Sequence, residues 1–162
     1  MLEVKTEIEI HATVDKVWNI LTDINNWSEW SPIIIQASGN TTLGSTLSIT
    51  MRGKEGKDGP KYSPIITELT KPTYFRWQAK MVANFIFTND KIFELEEIET
   101  GTRLVHKELF DGIFAPLFCR NIEDGVLPML NSMNEALKEL VEKGEDISPE
   151  ENTLAAGDEV ES

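Results

Sequence analysis

The chain has 162 residues, of which 40% are hydrophobic and 27% charged, a profile that fits one domain long enough to bury a real core. With 15 Lys and Arg against 28 Asp and Glu, the formal charge is -13, which argues against nucleic acid or an anionic membrane as the main partner. No apolar run approaches the roughly 18 residues of a membrane span, no apolar h-region follows Met1, and the lone Cys119 leaves no intrachain disulfide or multi-cysteine metal site. The expectation is a cytoplasmic protein without stable membrane insertion, a monomer or weak dimer.

The charge is unevenly placed. Seven acids and no base follow Lys143, so 28 less 7 leaves 21 acids against 15 bases in the body, a net of -6. Residues 144–162 carry too little apolar surface to offset their ordering entropy, so an acidic, disordered tail is expected after a single domain at 1–143.

In chain order, Leu2, Val4, Thr6, Ile8, Ile10 and Ala12 alternate with polar residues, as in a long strand with one wet face. Thr13 is placed to cap a helix whose Val14, Val17, Trp18 and Leu21 share a face. The segment Asp23 to Pro32 holds Trp27 and Trp30 three apart and reads as a short helical turn entering a loop. Ile33 to Ala37 and Ser45 to Met51 read as strands about a turn at Gly39 and Gly44. Arg52 to Pro60 reads as a polar, glycine-rich loop. Tyr62 to Leu69 follows as a strand in which Pro64 predicts an edge or a bulge. Phe75, Trp77, Ala79 and Met81 line one face of the next strand; Phe85 to Leu95 and Thr102 to Phe110 form the arms of a hairpin turning at Glu96 to Gly101.

The last helix is the organising element. Ile122, Val126, Met129, Met133, Ala136 and Leu140 recur at helical spacing, and Leu130, Leu137 and Val141 widen the stripe until it can cover a sheet. Pro128 either marks the start of the helix proper, which would then run from about Gly125 to Lys143, or kinks it. Together these elements predict an α+β fold: a curved seven-stranded antiparallel sheet wrapped around a long C-terminal helix, with two short helices after the first strand.

Four local patterns carry a family resemblance. Val17-Trp-Asn-Ile-Leu-Thr-Asp23 with Trp30-Ser-Pro32, Phe75-Arg-Trp77, the run Gly101 to Gly112 (Gly-Thr-Arg-Leu-Val-His-Lys-Glu-Leu-Phe-Asp-Gly) and Met133-Asn-Glu-Ala-Leu-Lys138 resemble the START-like, helix-grip superfamily in its polyketide cyclase/dehydratase-like (SRPBCC) branch. The resemblance implies an elongated apolar cavity between sheet and helix that takes lipids, sterols, polyketides or other hydrophobic molecules. Where that branch often has His two positions before the aromatic at Phe93, this chain has Lys91. If Glu97 faces Thr102 across the hairpin, Phe93 pairs with His106 and Lys91 with Glu108. A His–Glu pair has then become a Lys–Glu pair, which weakens the case for proton transfer.

The candidate ligand-binding residues are Trp30, Trp77, Phe85, Lys91, Phe93, His106, Glu108, Phe110, Met129 and Met133. His106 and Glu108 share a strand face with Leu104 and Phe110 and would orient a polar end of the ligand, whereas each aromatic or Met has plain core packing as its competing role. No catalytic residue, cofactor or metal site is assigned, because no zinc-ligand spacing, phosphate loop or nucleophile motif is present. The leading expectation is a binding protein for a small hydrophobic molecule. Its rivals are a cyclase or dehydratase using Glu108 and His106, and an interaction or chaperone-cofactor module.

Overall fold

A computed structural model describes residues 1–80, 88–113 and 122–144, with backbone alone at 122 and 123. Strand β1 (Leu2–Ile10) leads to α1 (Val14–Leu21), where Thr13 caps the first turn by accepting from the Lys16 amide. A 3-10 turn (Ile24–Asn26) and a single helical turn, α2 (Trp27–Trp30), follow. Then come β2 (Ile34–Ser38), β3 (Ser48–Arg52), β4 (Asp58–Tyr62), β5 (Ile65–Thr70), β6 (Tyr74–Lys80), β7 (Thr88–Ile98), β8 (Gly101–Asp111) and the long helix α3 (Ile122–Lys143). Phe85, Met81, Cys119 and the acidic tail beyond Gly144 lie outside the described residues.

The fold is the expected α+β helix grip, but the described strands number eight, in antiparallel sheets ordered β1-β8-β7-β6-β5 and β2-β3-β4. The expected strand from Tyr62 to Leu69 is broken at Ser63–Pro64, where proline has no N–H to give a ladder. Its two halves, β4 and β5, sit on different sheets. The junction is stitched by Leu47 N–H to the Pro64 carbonyl (2.8 Å) and Ile66 N–H to the Ser45 carbonyl (3.0 Å). Strand β4 also starts earlier than expected, inside the glycine-rich segment. Gly53 and Gly59 let the two backbones close, since a Cβ on either would meet main-chain atoms at 2.9 Å.

Helix α3 lies along β1 and reaches α1, α2 and β8. Its C-terminal half is tied down: Lys138 Nζ donates to the Glu9 carbonyl (2.7 Å), and Glu142 Oε1 accepts from the His11 amide (3.0 Å). Pro128 is accommodated inside the helix, which begins before it rather than at it. The buried line is Val126, Leu130, Met133, Asn134, Leu137 and Val141, while Leu140 is 38% exposed. The inward face is therefore rotated toward the residues expected only to widen the stripe, and it includes a polar side chain.

Candidate ligand-binding site

Hairpin β7–β8 has the register read from sequence: Glu97 faces Thr102, Phe93 faces His106, and Lys91 faces Glu108. Partners opposite one another project to the same side of a sheet. The concave face therefore carries one row reading Val4, Glu108, Lys91, Trp77, Ile66 across five strands, and a neighbouring row reading Thr6, His106, Phe93, Phe75. Strict alternation along β8 buries Thr102, Leu104, His106, Glu108 and Phe110 together.

The polar members of these rows join into one hydrogen-bonded belt. Lys91 Nζ lies 2.5 Å from Glu108 Oε1 and 3.1 Å from His106 Nε2. An ammonium can only donate, so Nε2 accepts and the ring proton resides on Nδ1, which donates to Asn134 Oδ1 on α3 at 2.8 Å. Asn134 Nδ2 donates to Thr6 Oγ1 (2.8 Å), and the Thr6 hydroxyl donates to the His106 carbonyl (3.2 Å). Asn89 Nδ2 reaches the second oxygen of Glu108 at 3.3 Å. The His106 ring also stacks on Phe93 with centroids 4.3 Å apart.

Burial, reinforced by the Lys91 charge, holds the His106 imidazole well below its usual range; its bond to Asn134 acts the other way without reversing the shift. The ring is thus neutral near pH 7, fully buried, and engaged at both nitrogens. Tyr62, on β4, donates to Met51 Sδ (3.1 Å), and its phenol is pushed up by burial and by the Glu108 carboxylate.

The belt separates two apolar regions. On one side Trp27, Trp77, Phe75 and Phe93 interlock, with Trp27–Trp77 centroids 5.3 Å apart and Phe75–Phe93 stacked at 5.8 Å. Met133, Leu137 and Val141 of α3 belong to the same cluster. A side chain lining a water-sized void keeps accessible surface toward it; Trp77 keeps none and Phe93 1%. On the other side, a small cluster of Val4, Phe110, Val126 and Leu130 retains more, with Phe110 at 6% and Val126 at 9%, and Glu108 keeps 7%. Met129 is half-buried one turn along α3 from Val126. Trp30 is half-buried with its ring edge-on to Trp27 at 6.0 Å. A hollow of about 370 Å³ opens where β4 breaks from β5, lined by Lys61, Tyr62, Ser63, Ile65, Gln78 and Lys80.

Of the residues picked out from sequence, Lys91, Phe93, His106 and Glu108 converge. Trp77, Phe93 and Met133 sit in the closed aromatic region and Trp30 packs at its edge, whereas Phe110 lies on the other side of the belt and the half-buried Met129 belongs to neither cluster. Asn134, Thr6, Asn89 and Tyr62 were not anticipated. Asn134 had a readable signal: it continues the Leu130–Leu137–Val141 line at spacings that place it inward. Among the described residues no group of three or more His, Cys, Asp or Glu is arranged to hold a metal, and no helix is long and apolar enough to cross a membrane.

A long helix gripped by an antiparallel sheet, with a polar belt between them, defines a helix-grip protein. Residues 1–145 match the sequence profile described as polyketide cyclase / dehydrase and lipid transport, and the chain belongs to that family. No curated protein matches the sequence. Among solved structures, protein NE0264 from Nitrosomonas europaea superposes with a TM-score of 0.72 at 20% identity, covering 90% of this chain and 97% of that one. A protein of unknown function, SA2116 from Staphylococcus aureus, gives 0.71 at 14% identity, covering 90% and 96%. The di-domain ARO/CYC StfQ from the steffimycin biosynthetic pathway gives 0.70 at 11% identity, covering 90% of this chain and 52% of that one. At these identities the likeness is one of fold.

Proposed function

We propose that the protein binds a small hydrophobic molecule between sheet and helix, on the Phe110–Val126 side of the belt. The observation that carries this reading is the unequal packing of the interior. The aromatic side is filled by the protein's own rings, while residual accessible surface remains at Glu108, Phe110 and Val126. Apolar burial there would supply affinity at about 25 cal/mol per Å² removed from water, and the belt would fix the ligand's polar end. Lys91, Glu108, Phe110 and, one turn along from Val126, Met129 would contact it; Trp77, Phe93, Met133, His106 and Trp30 would support the contact residues from behind.

Binding is favoured over cyclase or dehydratase chemistry by the state of the groups a reaction would need. Glu108 is committed to Lys91, and His106 is saturated at both nitrogens with no accessible surface. A general base must come within hydrogen-bond reach of the proton it removes. The test is native mass spectrometry of the full chain against matched lipids, sterols and aromatic polyketides. Stoichiometric one-to-one adducts that weaken in Phe110→Ala and persist in an exposed control such as Leu43→Ala are expected; no adduct with any of them would overturn the proposal.

A further inference from the structure

The belt has a hydrogen-bond account that can be completed, and the remainder has a sign. Thr6 both accepts and donates, and both His106 ring nitrogens are engaged. Lys91 has three protons and, among the described residues, two acceptors, Glu108 and His106. Its register neighbour Trp77 holds its indole N–H buried with no acceptor, and the Trp30 indole N–H is in the same state. Among the described residues the belt itself therefore has a donor to spare, whereas the unpaired acceptors, Ser31 Oγ and Asp90 Oδ1, are not members of it. Its charge is already balanced, because the one buried ammonium faces the one buried carboxylate of the belt.

We infer that the buried end of the ligand is an uncharged oxygen acceptor, a carbonyl group above all, which takes the third N–H of Lys91. The inference rests on the binding reading above and narrows it to a chemical class. A carboxylate would also accept from Lys91, but it would place a second negative charge beside Glu108 with one cation between them, in a region with little water to screen it. An ammonium would face Lys91 itself and bring more donors to a belt that already has one to spare. A bare hydrocarbon would offer the Lys91 proton no acceptor. Only a neutral acceptor adds a bond without adding charge.

The test compares decanone, decanoate, decylamine and decane with the full chain at neutral pH, reading binding by intrinsic tryptophan fluorescence and native mass spectrometry. The ketone is expected to bind at least about tenfold more tightly than the acid or the amine, the equivalent of one charge-assisted hydrogen bond kept or lost. In the neutral, similarly shaped double variant Lys91→Met/Glu108→Gln, the advantage of ketone over hydrocarbon should fall below about twofold while circular dichroism stays unchanged. Should that variant fail to fold, the wild-type ranking decides alone. Equal or tighter binding of decanoate overturns the inference and leaves the binding reading standing. So does a double variant that is folded and keeps the ketone advantage. Failure of all four probes to bind overturns the inference, and failure of the lipids, sterols and aromatic polyketides as well overturns the binding reading.

Discussion

The two sides of the belt are built from similar residues and do different things. On the Trp27–Trp77–Phe93 side, four rings from α2, β6 and β7 fill the space under the C-terminal half of α3, which is held to β1 by Lys138 and Glu142. On the Phe110–Val126 side, among the described residues, Val4 and Phe110 of the sheet meet Val126 and Leu130 of the N-terminal half, and Phe110 and Val126 keep some accessible surface. Aromatic residues near a helix thus do not by themselves mark a cavity; what distinguishes the described residues of the two regions is how much accessible surface they keep. The lesson is that the belt is a floor, with packed protein beneath it and the candidate binding space above.

The comparison can be broken by truncation. Phe93→Ala or Trp77→Ala should cost about 3–5 kcal/mol in chemical denaturation, as for other fully buried aromatics, and Phe110→Ala less, because Phe110 keeps 6% of its surface accessible where Trp77 keeps none. Equal losses would mean that both sides are packed alike. The floor itself is tested by Lys91→Met, which strands the Glu108 carboxylate and should destabilise by a comparable amount, about 3–5 kcal/mol. Adding Glu108→Gln should recover most of it, and a purely additive double variant would deny that the pair is coupled.

A smaller effect is expected at the helix end of the belt. Asn134→Leu removes the acceptor for His106 Nδ1–H and the donor to Thr6, costing about 1–3 kcal/mol by leaving a buried donor unmatched. Last comes pH. Because the His106 pKa is lowered on folding, the unfolded imidazole binds more protons than the folded one below its ordinary value of 6.5. Stability should therefore be fully present above about pH 6.5 and decline as pH falls below it, by about 1.4 kcal/mol for each unit of lowering. His106→Gln should flatten that limb of the unfolding curve; an unchanged slope would show that other groups set it.

Much of this was legible in the sequence, for physical reasons that also explain the gaps. The β7–β8 register follows from one short turn and the period of two, so the Lys91–Glu108 and Phe93–His106 pairings could be derived before any coordinates. Pro64 signalled the break that divides one expected strand into β4 and β5, though not that the halves would join different sheets. The spacing of Asn134 from Leu130, Leu137 and Val141 places it inward, but a polar residue in an apolar stripe looks like an interruption until its partner 28 residues away on β8 is known. Nor could two tryptophans three apart reveal that Trp27 fills the floor while Trp30 stays half-buried. That choice is made by Trp77 and Phe93, which arrive from strands far along the chain.

Two methionines on α3, Met129 one turn along from Val126 and Met133 in the aromatic cluster, offer the most direct test. With methyl-labelled methionine, titration of the full chain with decanone should shift the half-buried Met129 signal first and most, while Met133, 1% exposed beneath the belt, stays nearly in place. A large shift at Met133 with none at Met129 would put the ligand on the side described here as solid, and the account would be wrong.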